Sequence, residues 1–66
     1  MRLTVNGREH TDEDGVSVAA LVDRLARRRR GVAVAVNGTV VPRSTWETAR
    51  LADGDAVEVL TAAQGG

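Results

Sequence analysis

The chain has no cysteine, no lysine, no phenylalanine and no tyrosine, and its 66 residues include one tryptophan and one proline. Without cysteine there can be no disulfide, no thiolate metal site and no thiol nucleophile, and the composition fits a reducing compartment, with the cytoplasm expected. Without lysine, all nine basic residues are arginine, so the chain cannot be linked into polymers through lysines of its own. Nine acidic residues balance them to a formal net charge of zero, which lacks the electrostatic footprint of a nucleic-acid or anionic-membrane binder. No apolar run approaches a membrane span, and Met1 to Gly7 becomes polar too early for a signal peptide. The length allows one core and argues against an enclosed catalytic cleft. Specific protein partners remain open.

The residues that are present read as short alternating elements. Leu3 and Val5 alternate with Arg2, Thr4 and Asn6, and Asn6-Gly7 is the pair that most favours a type I′ hairpin, so a second strand is predicted over Arg8 to Thr11. Asp12-Glu13-Asp14-Gly15 resembles the start of a calcium loop but lacks the later ligands and closing glutamate, and reads as a solvated loop. Ser17 is a suitable N-cap for a helix whose apolar residues Val18, Leu21, Val22 and Leu25 follow the i, i+3, i+4, i+7 spacing of one buried face. Asp23 and Arg27 stand at i, i+4, and Gly31 can act as C′ residue, so the helix is predicted to stop at Arg29 or Arg30. The run Arg27 to Arg30 then complements the helix dipole, with docking of an acidic partner as the alternative.

Val32, Val34 and Val36 form the next alternating strand, followed by Asn37-Gly38 and a strand over Thr39 to Val41 that Pro42 limits to a short or edge element. An irregular crossing from Arg43 to Ala52 is expected to hold a helical turn near Ser44 to Trp46, with the lone Trp46 plugging it and its indole N–H finding an acceptor. Asp53-Gly54-Asp55 is a turn before a last strand in which Val57 and Val59 face inward. By parity Leu60 and Ala62 face away from the helix. The order ββαββ, crossing, β makes an α+β domain: a mixed sheet of about five strands with one helix packed on one face. His10 lacks companions for a metal or catalytic set and reads as a surface-strand histidine.

The chain ends in Gln64-Gly65-Gly66. Glycines lose most conformational freedom on ordering, so a terminal pair does not stabilise a fold. A slim glycine tail can instead thread its α-carboxylate into another protein's active site.

The segment Val34 to Trp46, with its Val-Pro-Arg-x-x-Trp pattern, then Leu51 to Leu60 with the Asp-Gly-Asp turn, and finally Gln64-Gly65-Gly66, resembles the ThiS family of thiamine-biosynthesis sulfur carriers over the whole chain. The resemblance implies a ubiquitin-like β-grasp fold filling residues 1–66, with the last strand inserted parallel to the first at the sheet centre and 63–66 as a flexible reactive tail. It also implies a protein co-substrate without a catalytic site of its own. An E1-like enzyme would adenylate the Gly66 carboxylate with ATP and magnesium. Sulfur from cysteine, supplied through a desulfurase, would convert it to a thiocarboxylate, and thiazole synthase would take that sulfur. Gly65 and Gln64 would belong to the tail, Leu60 and Ala62 to the partner-binding surface, and no cofactor or metal would be tightly held. The free chain is expected to be a monomer, binding neither nucleic acid nor membrane. Ala62 and Ala63 are smaller than the residues expected there, predicting a thin apolar patch around Leu60. A molybdopterin-synthase small subunit, another sulfur carrier, a ubiquitin-like modifier or a passive binding module are the alternatives.

Overall fold

In the computed structural model, which describes residues 1–61, the chain runs β1 (Arg2–Val5), β2 (Arg8–Thr11), α1 (Val18–Leu25), β3 (Val32–Val36), β4 (Thr39–Val41), a 3-10 turn (Arg43–Thr45) and β5 (Ala56–Thr61). The strands form one sheet in the order β2-β1-β5-β3-β4. β5 lies at its centre, parallel to β1 through Thr4↔Ala56 and Val5↔Val57, and antiparallel to β3 from Val36↔Val57 to Val32↔Thr61. A parallel neighbour needs a long crossover, here everything between β1 and β5 including the helix.

Both Asn-Gly pairs make the predicted hairpins, with φ of 52° and 82° at Asn6 and Gly7 and of 52° and 84° at Asn37 and Gly38. Asparagine tolerates this left-handed region and glycine enters it without steric cost, so the turn twists with the strands it joins. Each asparagine side chain also reaches β5. Asn37 Oδ1 accepts from Ala56 N–H at 2.9 Å, and Asn6 Oδ1 accepts from Val59 N–H at 2.9 Å while its Nδ2 donates to the Val59 carbonyl at 3.1 Å. The Asn6 amide thus continues the ladder one rung beyond the end of β1.

The helix begins where expected. Ser17 Oγ accepts from Ala20 N–H at 3.0 Å, while the N–H groups of Val18 and Ala19 donate to the carbonyls of Ala49 and Trp46 in the crossing. Three donors that an isolated helix would leave to water are thereby satisfied, two by a distant segment. Val18, Ala19, Leu21 and Val22 are buried against Leu3, Val34, Val57 and Val59, with Val5 partly buried at the margin.

The helix ends four or five residues earlier than the sequence predicts. Ala26 is extended (φ −128°, ψ 146°) and its N–H still donates to the Val22 carbonyl. Beyond this point the helix has no sheet to bury against: Leu25, expected inside, is 46% exposed, and the partly buried Ala26 packs on the core instead. Continuing would also stack like charges of the arginine run on neighbouring turns. The arginine run therefore lies outside the helix, so it cannot complement the dipole in the last turn, where only Arg24 stands. Asp23 pairs with Arg29 rather than Arg27: two guanidinium nitrogens donate to it at 2.9 and 2.8 Å, and a third reaches Glu47 at 2.9 Å. Gly31, at φ +75°, turns the chain into β3 and does not cap the helix.

In the Asp12–Gly15 loop Glu13, Asp14 and Gly15 are exposed as expected, but Asp12 is not. The Asp12 side chain is 1% exposed, not solvated, and accepts hydrogen bonds from the Arg24 guanidinium and from Glu13 N–H, with His10 Nε2 3.2 Å away. Burial alone would raise this carboxyl, but the bonds from Arg24, Glu13 and His10, with the Arg24 charge, outweigh it and hold the pKa below the ordinary value. The folded state therefore holds this carboxyl ionised more readily than the unfolded chain does. Its contribution to stability should be full above the unfolded carboxylate value near pH ~4 and be lost as pH falls through the lower folded value. Urea midpoints measured from pH 7 down to 2 should fall in that acid window for the wild type. Asp12→Asn should be less stable at pH 7 and show a flatter acid limb; an unchanged limb would remove Asp12 from that role.

Trp46, 1% exposed, fills the crossing as expected and donates from Nε1 to the Val41 carbonyl at 3.0 Å. The Arg43 guanidinium sits 5.7 Å from its ring centroid. The 3-10 turn beside it is one residue earlier than predicted.

Candidate functional site

β5 carries the chain to the site, and its burial alternates: Val57 and Val59 inside, Ala56, Glu58 and Leu60 outside. Its start is clamped. Gly54 N–H donates to the Arg2 carbonyl at 2.7 Å, Arg2 N–H to Asp53 Oδ1 at 2.7 Å, and Ala52 N–H and Asn37 Nδ2 to the Asp55 carboxylate at 2.8 and 2.9 Å. Gly54, at φ +89°, makes the tight turn between these acids possible. Near its other end the Asn6 amide holds Val59 and β3 pairs Val32 with Thr61. The strand is anchored along its length up to the last described residues.

Leu60 stands 69% exposed on the sheet face away from the helix. Opposite it is Ala33, and the next pair along is Glu58 and Ala35, with Ala35 also opposite Val40 of β4. Val40 is 70% exposed. Two branched side chains rising on either side of two alanines leave a shallow apolar hollow, lined by Ala33, Val34, Ala35, Val40, Glu58 and Leu60. The patch is therefore broader than Leu60 alone predicts. Alternation in β4 is the signal for Val40: Val41 leans on the core, so Val40 points outward. The sequence-predicted residues Ala62, Gln64, Gly65 and Gly66 lie outside the described residues.

Among the described residues no group of three His, Cys, Asp or Glu side chains could hold a metal ion, and no helix is long and apolar enough to cross a membrane. In the polar cluster around Asp12, the Asp12 carboxylate is taken up by Arg24, His10 and the Glu13 N–H.

A five-stranded mixed sheet with its first and last strands parallel at the middle and one helix across a single face is the ubiquitin-like β-grasp. Within that class the chain belongs to the ThiS family, whose profile matches residues 1–66. It is 30% identical to the sulfur carrier protein ThiS of Escherichia coli K12 over 66 residues, all of both chains. A thiazole synthase of Paramagnetospirillum magneticum is 35% identical over the same 66 residues, but the chain spans only 20% of that protein's length. Among solved structures, the crystal structure of the thiamine biosynthesis protein ThiS from Geobacter metallireducens superposes with a TM-score of 0.85 at 36% identity, covering all of both chains. The solution structure of a Geobacter metallireducens thiamine biosynthesis protein gives 0.81 at 36% identity, covering all of this chain and 88% of that one.

Proposed function

We propose that the chain is a sulfur carrier for synthesis of the thiazole moiety of thiamine, with the α-carboxylate of Gly66 as its working group. The carboxylate attacks the α-phosphorus of ATP on an E1-like enzyme that holds the magnesium, and pyrophosphate leaves. Sulfide sulfur, derived from cysteine, then attacks the acyl carbon of the adenylate and AMP departs, leaving a thiocarboxylate; a persulfide donor instead gives an acyl disulfide, whose S–S bond a second thiol, such as excess cysteine, reduces to release the same product. Thiazole synthase accepts that sulfur. The carrier itself contributes no acid, base or metal, which suits a chain whose titratable clusters serve the fold.

The observation that carries the reading is the family match through the final glycines, on a sheet whose central strand runs toward them. A segment similar to the entire chain within a longer thiazole synthase supports that enzyme as the acceptor, since the two activities then have reason to sit together. The test is intact-mass measurement after incubation with the E1-like enzyme, ATP, cysteine and a desulfurase. The expected product is heavier by the replacement of one oxygen with sulfur; an unchanged mass, with a positive control carrier converted in parallel, would overturn the reading.

The hollow between Leu60 and Val40 is the surface on which this reading places the partner enzymes. Leu60→Asp should leave circular dichroism and melting within noise, because the side chain contacts solvent, yet weaken adenylation roughly tenfold by putting a charge into an apolar contact. Unchanged pyrophosphate exchange kinetics would take the patch out of the interface.

A further inference from the structure

Although the chain is neutral, the fold segregates its charge. Asp53 and Asp55 stand at the start of β5, and Asp12 to Asp14 lie at the same end, where Thr11 pairs with Arg2, Met1 N donates to the Asp12 carbonyl and the N-terminal ammonium pairs with Asp14. The other end is basic. Val32 pairs with Thr61, and the Arg29 carbonyl accepts from Val32 N–H at 3.1 Å, so the turn holding the arginine run sits directly beside the end of β5. Arg43 joins it, donating to the Arg29 carbonyl at 3.3 Å. Six residues of strand, about 20 Å, separate the two poles.

Within this run Arg29 is occupied by Asp23 and Glu47. Arg27, Arg28 and Arg30 are exposed and make no ion pair among the described residues. Arg29 thus uses the nearby carboxylates and leaves three guanidiniums presented where the chain departs toward Gly66.

We propose that Arg27, Arg28 and Arg30 form a docking surface for a carboxylate-rich rim around the entrance to the activating enzyme's adenylation site. This rests on the reading of Gly66 as the adenylated residue. The five residues after Thr61 can span at most about 17 Å, so an enzyme that reaches the terminal carboxylate must bring its surface close to the end of β5. Across up to about 17 Å the attraction is largely screened at physiological salt, where the Debye length is about 8 Å, and strong at ~0.01 M, where it is about 30 Å, so it acts on encounter and orientation and is salt-dependent. At the far end Arg2, Arg24, Arg50 and the N-terminal ammonium stand among the carboxylates, so among the described residues that end offers an acidic rim no comparable unpaired cationic surface. A nucleic-acid partner fits less well: a continuous polyanion would meet both poles of a neutral molecule.

The experiment uses ATP–pyrophosphate exchange by the E1-like adenylating enzyme encoded in the same genome, with full-length carrier varied at low and high ionic strength. The triple variant Arg27→Gln, Arg28→Gln, Arg30→Gln spares Arg29 and should melt like wild type. Its KM for exchange should rise about tenfold at low salt with kcat unchanged, and should vary little with salt, whereas the wild-type KM should climb toward it as salt is added. The corresponding triple Arg→Lys variant keeps the charge and should stay within about threefold of wild type. Equal KM values for wild type and the glutamine variant at low salt, or a fall in kcat alone, would overturn the docking surface while leaving the carrier reading intact. If wild type supports no exchange, the carrier reading falls and the docking surface falls with it. If wild type retains a fluorescent oligonucleotide at low salt and the glutamine variant does not, with KM unchanged between them, the proposal is likewise overturned in favour of a nucleic-acid contact.

Discussion

Adding one residue after Gly66 is expected to lower adenylation about a hundredfold or more while leaving the melting temperature unchanged. The extended chain still ends in a carboxylate, but that group lies about 3.5 Å further along the tail, beyond the tolerance of a near-attack geometry. The anchoring of β5 gives the prediction its force. Asn6, Val32 and the Asp53-Gly54-Asp55 turn fix the register of the strand, so the molecule cannot slide along its own sheet to restore the reach. Deleting Gly66 should fail in the opposite sense, by leaving the carboxylate short of the phosphate. Gly65→Val should fail by bulk. Pyrophosphate exchange with each protein decides the matter, and an extended chain adenylated as fast as wild type would remove the terminus as the working group.

Leu21→Ala is expected to cost about 2 to 5 kcal/mol, the range for truncating a fully buried leucine into a cavity. Leu21 has no exposed surface and lies on the apolar stripe of α1, an element of eight residues that is marginal without its packing. A single core in a chain this short rarely supplies more than about 3 to 5 kcal/mol, so the variant should be largely or wholly unfolded at 37 °C. Leu25→Ala is the informative contrast. It occupies an equivalent place in the sequence pattern but is half exposed, and its change should stay within about 0.5 kcal/mol. Thermal melts of the pair test the packing directly: similar midpoints would mean that the helix buries a different face.

These two leucines also mark where reading from sequence stops being sufficient. Periodicity finds the buried stripe because helix geometry is local, but it treats Leu21 and Leu25 alike. Only the extent of the sheet beneath them separates the two. The same holds for the helix end: Gly31 and the arginine run look like a C-terminal signal, yet the chain leaves the helix at Ala26, where the surface that could bury another turn runs out. Asp12 was legible only as part of an acidic loop, because its main partner, Arg24, is twelve positions away and no spacing rule connects them.

For the candidate site the division is similar. Leu60 facing outward follows from the alternation of Val57 and Val59, and the final Gly-Gly is visible as written. That Val40 and the two alanines complete a hollow around Leu60 depends on β3 lying between β4 and β5, a non-local pairing. The placement of the arginine run beside the end of β5 depends on the same pairing.

What the sequence by itself determined are the features governed by backbone stereochemistry and side-chain alternation over a few residues: both Asn-Gly hairpins, the Ser17 cap, the edge role of β4 before Pro42, and the inward and outward faces of β5. What only the tertiary structure decided are the features set by contacts between distant segments. These are the length of the helix, the burial of Asp12, the crossing carbonyls that satisfy the first helical N–H groups, and the gathering of positive charge at one pole of a neutral chain. The reason is physical: local rules act through dihedral angles and neighbouring side chains, whereas burial and electrostatic environment depend on which surfaces the fold brings together.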